Sequence, residues 1–161
     1  AFGAYLSSVE VYSCPGERTL HTVAGKRVKK LRTYSMNDNV GGGEGTDRLP
    51  PPPPGLQYRR NSQFRNPEYL FVFIDVEPLS NCFTTFETPS TTFFNAPGAL
   101  HDGKTGVLSY ADSHVESHRW VKPLVLPLTD KRIAEPHTVE RQADRNDMLY
   151  LRSRAHHLLT P

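Results

Sequence analysis

Proline sets the upper limit on every regular element in this chain. Fourteen of the 161 residues are proline, and five of them run consecutively from Pro50 to Pro54. Proline locks φ at about −65° and has no amide hydrogen, so this run forbids helix and sheet ladder alike and reads as extended polyproline II. A stiff spacer in a surface loop is its expected role, and a ligand for an aromatic groove of the SH3 or WW type is the alternative. The other prolines, with eleven glycines, divide the chain into short segments. The expected fold is therefore α+β, with three to five antiparallel strands, long loops and a C-terminal helix, rather than a helical bundle.

The strongest segment is "EYLFVFIDVEP", where Leu70 to Ile74 form an unbroken apolar run between Pro67 and Pro78. Its length and its aromatic and branched residues predict a central strand buried on both faces. Asp75 and Glu77 alternate at its exit and could act as acid and base, but no nucleophile lies nearby in sequence, so a polar strand end is expected. "YLSSVEVYSCP" predicts a short helical turn followed by a strand, and "KRVKKLRTYSMN" predicts one further strand. Lys26, Arg27, Lys29, Lys30 and Arg32 suit a solvated edge, because no aromatic residues are interleaved for stacking on bases. Phe83, Phe86, Phe93 and Phe94 are expected to anchor an irregular loop rather than to form a ligand cage. "KPLVLPLTD" runs extended, since Pro123 and Pro127 bar a helix. Asn146 can cap a helix whose Met148, Leu151, Ala155 and Leu158 share one stripe, and His156 and His157 in its last turn suit the helix dipole without a metal. The predicted core is Val9, Val11, Leu70, Val72, Ile74, Leu108, Tyr110 and Val115.

The length suits one domain over residues 1–161. A net charge of +2 gives no reason to expect a nucleic-acid partner. No apolar run approaches the roughly 18 residues that span a bilayer, and the first thirty residues show no signal-peptide pattern. Cys14 and Cys82 form no CxxC pair, which excludes a zinc ribbon; one disulfide or two separate buried thiols both remain open.

The stretch "HDGKTGVLSYADSHVESHRW", His101 to Trp120, holds three of the seven histidines and the only tryptophan. "GVLSYA" and "HVESHRW" read as two strands around Asp112-Ser113. A two-residue loop sets Tyr110 opposite Val115 and Leu108 opposite Ser117 on the apolar face. His114, Glu116, His118 and Trp120 then occupy the other face, with His101 and Asp112 as neighbours. His101, Asp112, His114 and His118 are the candidate ligands for a divalent metal, zinc if the histidines dominate and calcium if the oxygens do. Histidines four residues apart on a strand stand roughly 13 Å apart, so His114 and His118 share an ion only if the strand bends. Ser109 and Ser117 have no matched base, and no catalytic residue or resident cofactor is assigned.

These residues also carry a resemblance. "H-x10-D-S-H-V-E-S-H-R-W" is similar to the H-x9-D-G-H-V-E-x-H-x-W hallmark of the prepilin-like, type II secretion pseudopilin G-like family of planctomycetes and verrucomicrobia. "AYLSSVEVYSCPGE", "LRTYSMNDNVGG", "NPEYLFVFIDVEP" and "NDMLYLRSR" resemble further segments of that family, in the same order, so the likeness spans about residues 5 to 154. It implies a pilin-like globular domain of the cell envelope or extracellular space, non-enzymatic, working through protein partners in a filament or secretion apparatus. The family opens with a cleavable signal and a long apolar helix. This chain opens "AFGAYLSS", the pattern of a pseudopilin fragment or of a soluble descendant. Ser113 stands where the family has glycine, and the His101–Asp112 spacing is one residue longer, so a longer or bulged turn is expected. Self-pairing of the surface that the helix would cover, or of an exposed strand edge, is expected to give a homodimer or higher oligomer.

Overall fold

The computed structural model describes residues 6–18, 20–41, 57–77, 85–86, 96–123 and 144–155. Strands β1 (Leu20–Val23) and β2 (Lys26–Lys29) form a separate hairpin. Strands β3 (Tyr34–Asn37), β4 (Phe71–Asp75), β5 (Thr85–Phe86), β6 (Thr105–Tyr110) and β7 (Val115–Arg119) form a five-stranded sheet in the order β5-β3-β4-β6-β7. One helix, α1 (Arg145–Ala155), completes an α+β architecture. All strand pairs are antiparallel except β3 with β5, which is parallel and departs from the expected all-antiparallel sheet. No helix among the described residues is long and apolar enough to cross a membrane. The proline run, Cys82, Phe83, Phe93, Phe94, the segment after Pro123, His156, His157 and Leu158 lie outside the described residues.

β4 is central, as its apolar run predicts, but it is not buried on both faces. The pairing with β6 shifts between Phe71 and Phe73, so Val72 is the extra residue of a bulge. Phe71 and Ile74 both turn to the core, each 0 % exposed, while Phe73 is left on the other face, 41 % exposed. "KRVKKLRTYSMN" divides into two strands of different sheets. A tight turn at Ala24-Gly25, both at positive φ, folds the fully exposed β2 back on β1, and the chain enters the large sheet only at Tyr34. The expected strand before Cys14 is absent: Val9–Tyr12 is a 3-10 helix in which the Ser8 hydroxyl accepts from the Glu10 amide. Period-two burial does not apply to such a turn, so Val9 and Val11 are exposed rather than core residues.

The largest correction concerns the β6–β7 hairpin. The Tyr110 amide donates to the His114 carbonyl, and the Ser113 amide to the Tyr110 carbonyl, so the loop holds three residues with Ser113 at φ 79°. Leu108 therefore faces Glu116, and Ser109 faces Val115. One residue of slip exchanges the two faces of a strand. Val115 is exposed, while Glu116, His118 and Trp120 turn toward α1.

The core comprises Phe71, Ile74, Val76, Ala99, Leu108, Tyr110, Trp120, Leu151 and Ala155. Asp144, not Asn146, caps α1, its carboxylate accepting from the Asn146 amide at 2.7 Å. At the other end the Ala155 carbonyl accepts from the side-chain amides of Asn37 and Asn39, tying the helix to β3. The Trp120 indole donates to the Gly98 carbonyl at 2.7 Å. A Cβ on Gly106 would stand 2.5 Å from that same oxygen, so only glycine allows this approach. Ile74→Ala is expected to cost about 2–5 kcal/mol in urea denaturation, because it opens a cavity in the core. Val115→Ala is expected to change stability by less than about 0.5 kcal/mol, which checks the register directly.

Candidate functional site

Three segments that are remote in sequence converge at the end of β4. Cys14 follows the 3-10 helix, and its amide donates to the buried Thr33 hydroxyl at 2.6 Å. The Thr33 amide donates to the Tyr12 carbonyl, and its own carbonyl accepts from Val76, which stitches the Cys14 segment to the sheet. Asp75 is the last residue of β4, and its Oδ2 accepts from the Val107 amide of β6 at 3.0 Å. His101 begins a tight turn through Asp102 and Gly103, both at positive φ, the sequence pair suited to a type I′ turn. Two backbone hydrogen bonds between His101 and Thr105 hold that residue in place.

The His101 Nε2 stands 3.6 Å from the Cys14 Sγ and 3.5 Å from the Asp75 Oδ2. Cys14 is 1 % exposed. The Asp75 side chain is fully buried and that of His101 is 42 % exposed. Asp75 Oδ1 is buried and has no hydrogen-bond partner among the described residues. Burial pushes the Asp75 carboxyl up to about 6, against the opposing pull of the Val107 amide and the His101 ring. Tyr34 is directly opposite Asp75 in the β3–β4 pairing. Its hydroxyl is pushed well above the usual range, by burial first and by Asp75 and Cys14 after it.

A cysteine–histidine–carboxylate relay places the nucleophile and the acid on opposite ring nitrogens. Here both sit on Nε2, which carries at most one hydrogen. The arrangement is a set of donors converging on one point, not a relay.

The predicted ligands His101, Asp112, His114 and His118 are not brought together. Asp112 and His114 pair with each other at the exposed hairpin tip, Oδ1 to Nδ1 at 2.6 Å, and the His114 ring stacks on Tyr110. The His114 amide, then its ring, hold the Asp112 carboxyl below its ordinary value. His118 lies beneath α1, stacked on Tyr150 at 3.6 Å and 3.4 Å from the Asp147 Oδ1. Asp147 also accepts from the amides of Val121 and Lys122, so this group fastens the helix to the end of β7. β7 is regular over Val115–Arg119, so His114 and His118 stand apart along the strand at roughly 3.3 Å per residue, and the three-residue turn sets which face His118 occupies. Of these four, only His101 joins a multi-donor cluster, with Cys14, for which the sequence leaves a disulfide or a buried thiol open, and Asp75, expected as a polar strand end. No spacing rule links His101 to a cysteine 87 positions away. The legible signals were an acid embedded in an apolar run and the Asp-Gly turn beside His101.

On the same side of the sheet as Asp75, Phe73 and Tyr34 lies an open groove of about 560 Å³. Leu6, Val11, Tyr12, Tyr34, Phe73, Val107, Ser109 and Val115 line it, and all but Ser109 are apolar or aromatic. Tyr34 is common to both features. No family model matches the chain, and neither a curated protein nor a solved structure matches it.

The Asp75 carboxyl binds its proton more tightly folded than unfolded. Its penalty on the fold is therefore absent below its ordinary value of 3.8 and complete once pH passes about 6. At about 1.4 kcal/mol per tenfold in proton affinity, this amounts to on the order of 3 kcal/mol. Chelator-treated protein is expected to lose that much stability between pH 4 and pH 7 relative to Asp75→Asn, measured by paired denaturation curves. Parallel pH profiles for the two proteins would contradict the assignment.

Proposed function

We propose that this chain is a non-enzymatic, pilin-like interaction domain of a secretion or filament apparatus, and that it works by docking protein surfaces. The observation that carries this reading is the groove on the outward face of the sheet. A sheet face open to water ordinarily alternates to polar side chains. Here Phe73, Val107 and Val115 stand there instead, flanked by Leu6 and Val11. Apolar surface of this kind is stabilised by covering it, at about 25 cal/mol per Å² removed from water. The ordered motifs that resemble those of prepilin-like proteins support the same reading.

The occupant proposed is a second copy of this chain. Val115 lies on β7, which ends the sheet order and, among the described residues, has an unpaired strand edge beside the groove. Two copies related by a two-fold axis can continue the sheet through β7 and bring their grooves together. Light scattering at micromolar concentration is expected to report a dimer or larger species. Val115→Glu and Phe73→Glu, both at exposed positions, are expected to return the protein to a monomer that keeps the wild-type circular dichroism spectrum and whose melting temperature no longer depends on protein concentration. A wild-type protein that stays monomeric across that concentration range would overturn the proposal.

A further inference from the structure

We propose that Cys14, Asp75 and His101 form a zinc site, with Sγ, a carboxylate oxygen and Nε2 as its three protein ligands. The distances distinguish a coordination set from a hydrogen-bonded one. An N–H···O bond is about 2.7–3.2 Å long, and one ring nitrogen cannot aim a single hydrogen at two acceptors. The 3.5 Å contact to oxygen is longer than such a bond, and the 3.6 Å contact to sulfur, itself within reach of a hydrogen bond to sulfur, falls on the same nitrogen, so one hydrogen cannot serve both. Both distances match the edges of a tetrahedron: Zn–S of about 2.3 Å and Zn–N or Zn–O of about 2.0–2.2 Å place S and N about 3.5 Å apart, and N and O about 3.4 Å apart.

A second observation points to a missing ligand. Asp75 is fully buried, yet among the described residues its Oδ1 has no hydrogen-bond partner, a costly state for a carboxylate. A dication held by a thiolate, a carboxylate and a neutral imidazole closes the local charge balance. The donor types also choose the metal. Sulfur and imidazole favour zinc and disfavour calcium, which takes oxygen ligands. The half-exposed face of His101 leaves a path for the ion and for a water in the fourth position. Zinc would tie the Cys14 segment to the end of β4 and to the turn before β6. Because Val11 and Tyr12 wall the groove just upstream, the ion would also set the shape of that surface.

The test uses the full chain, stripped with chelator under reducing conditions and titrated with Zn²⁺ or Co²⁺. One equivalent is expected to bind, with a thiolate-to-cobalt charge-transfer band in the near ultraviolet. A hundredfold excess of zinc over its Kd should raise the melting temperature by about 5–10 °C. Cys14→Ser should abolish the band, and Cys14→Ser and His101→Ala should each weaken zinc binding at least tenfold. His114→Ala, His118→Ala and Cys82→Ser should leave band and affinity unchanged. His101→Ala removes a half-exposed ring, so it keeps the test valid if Cys14→Ser folds poorly. The proposal fails if no stoichiometric zinc binds, if His101→Ala binds as tightly as wild type, or if the band follows Cys82 rather than Cys14.

Discussion

A single backbone angle, φ 79° at Ser113, governs how β6 meets β7 and, through that pairing, what each face of the sheet can do. With three residues in the turn, Tyr110 bonds to His114 and the even-numbered side chains of both strands point toward α1. Leu108, Tyr110, Glu116, His118 and Trp120 can then close over the helix, and Val107, Ser109 and Val115 are left on the outer face. A serine held in the left-handed region costs about 1–3 kcal/mol, which the surrounding pairing must offset. The bulge at Val72 completes the arrangement. It lets Phe71 and Ile74 both enter the core and leaves Phe73 to line the groove.

The inner face is held by directional bonds as much as by apolar contact. Asn37 and Asn39 close the C-terminal end of α1, Asp147 fastens its first turn to the amides after β7, and Trp120 bonds the Gly98 carbonyl. Each satisfies a backbone group that burial would otherwise leave unpaired, and each fixes the helix in one position over the sheet. That rigidity matters for a domain whose proposed work is to present a surface, because an ordered surface loses less entropy when it is covered.

The outer face joins an apolar groove to a buried polar cluster through Tyr34. The groove offers area, and the cluster of Cys14, Asp75 and His101 offers a fixed point beneath the 3-10 helix that forms one wall. A buried acid at the end of the central strand is a liability for folding alone. Its position beside a thiol and an imidazole makes sense when the three act as one unit. The two proposals are separable, since self-association depends on Phe73 and Val115 while metal binding depends on Cys14 and His101.

The sequence by itself determined the elements that local chemistry controls. The apolar run at Leu70 to Ile74 had to be a strand. The segments around Asp112 had to pair as a hairpin, and the stripe through Met148, Leu151 and Ala155 had to be a helix. Proline frequency confined everything else to short pieces. Tertiary structure decided what local chemistry cannot: one residue of register, which exchanged the roles of Val115 and His118, and the meeting of Cys14, Asp75 and His101. A strand repeats every two residues, so a turn one residue longer inverts every later side chain without altering any local preference. The donor cluster depends on three segments arriving together, and that is set by sheet order and packing rather than by any spacing along the chain.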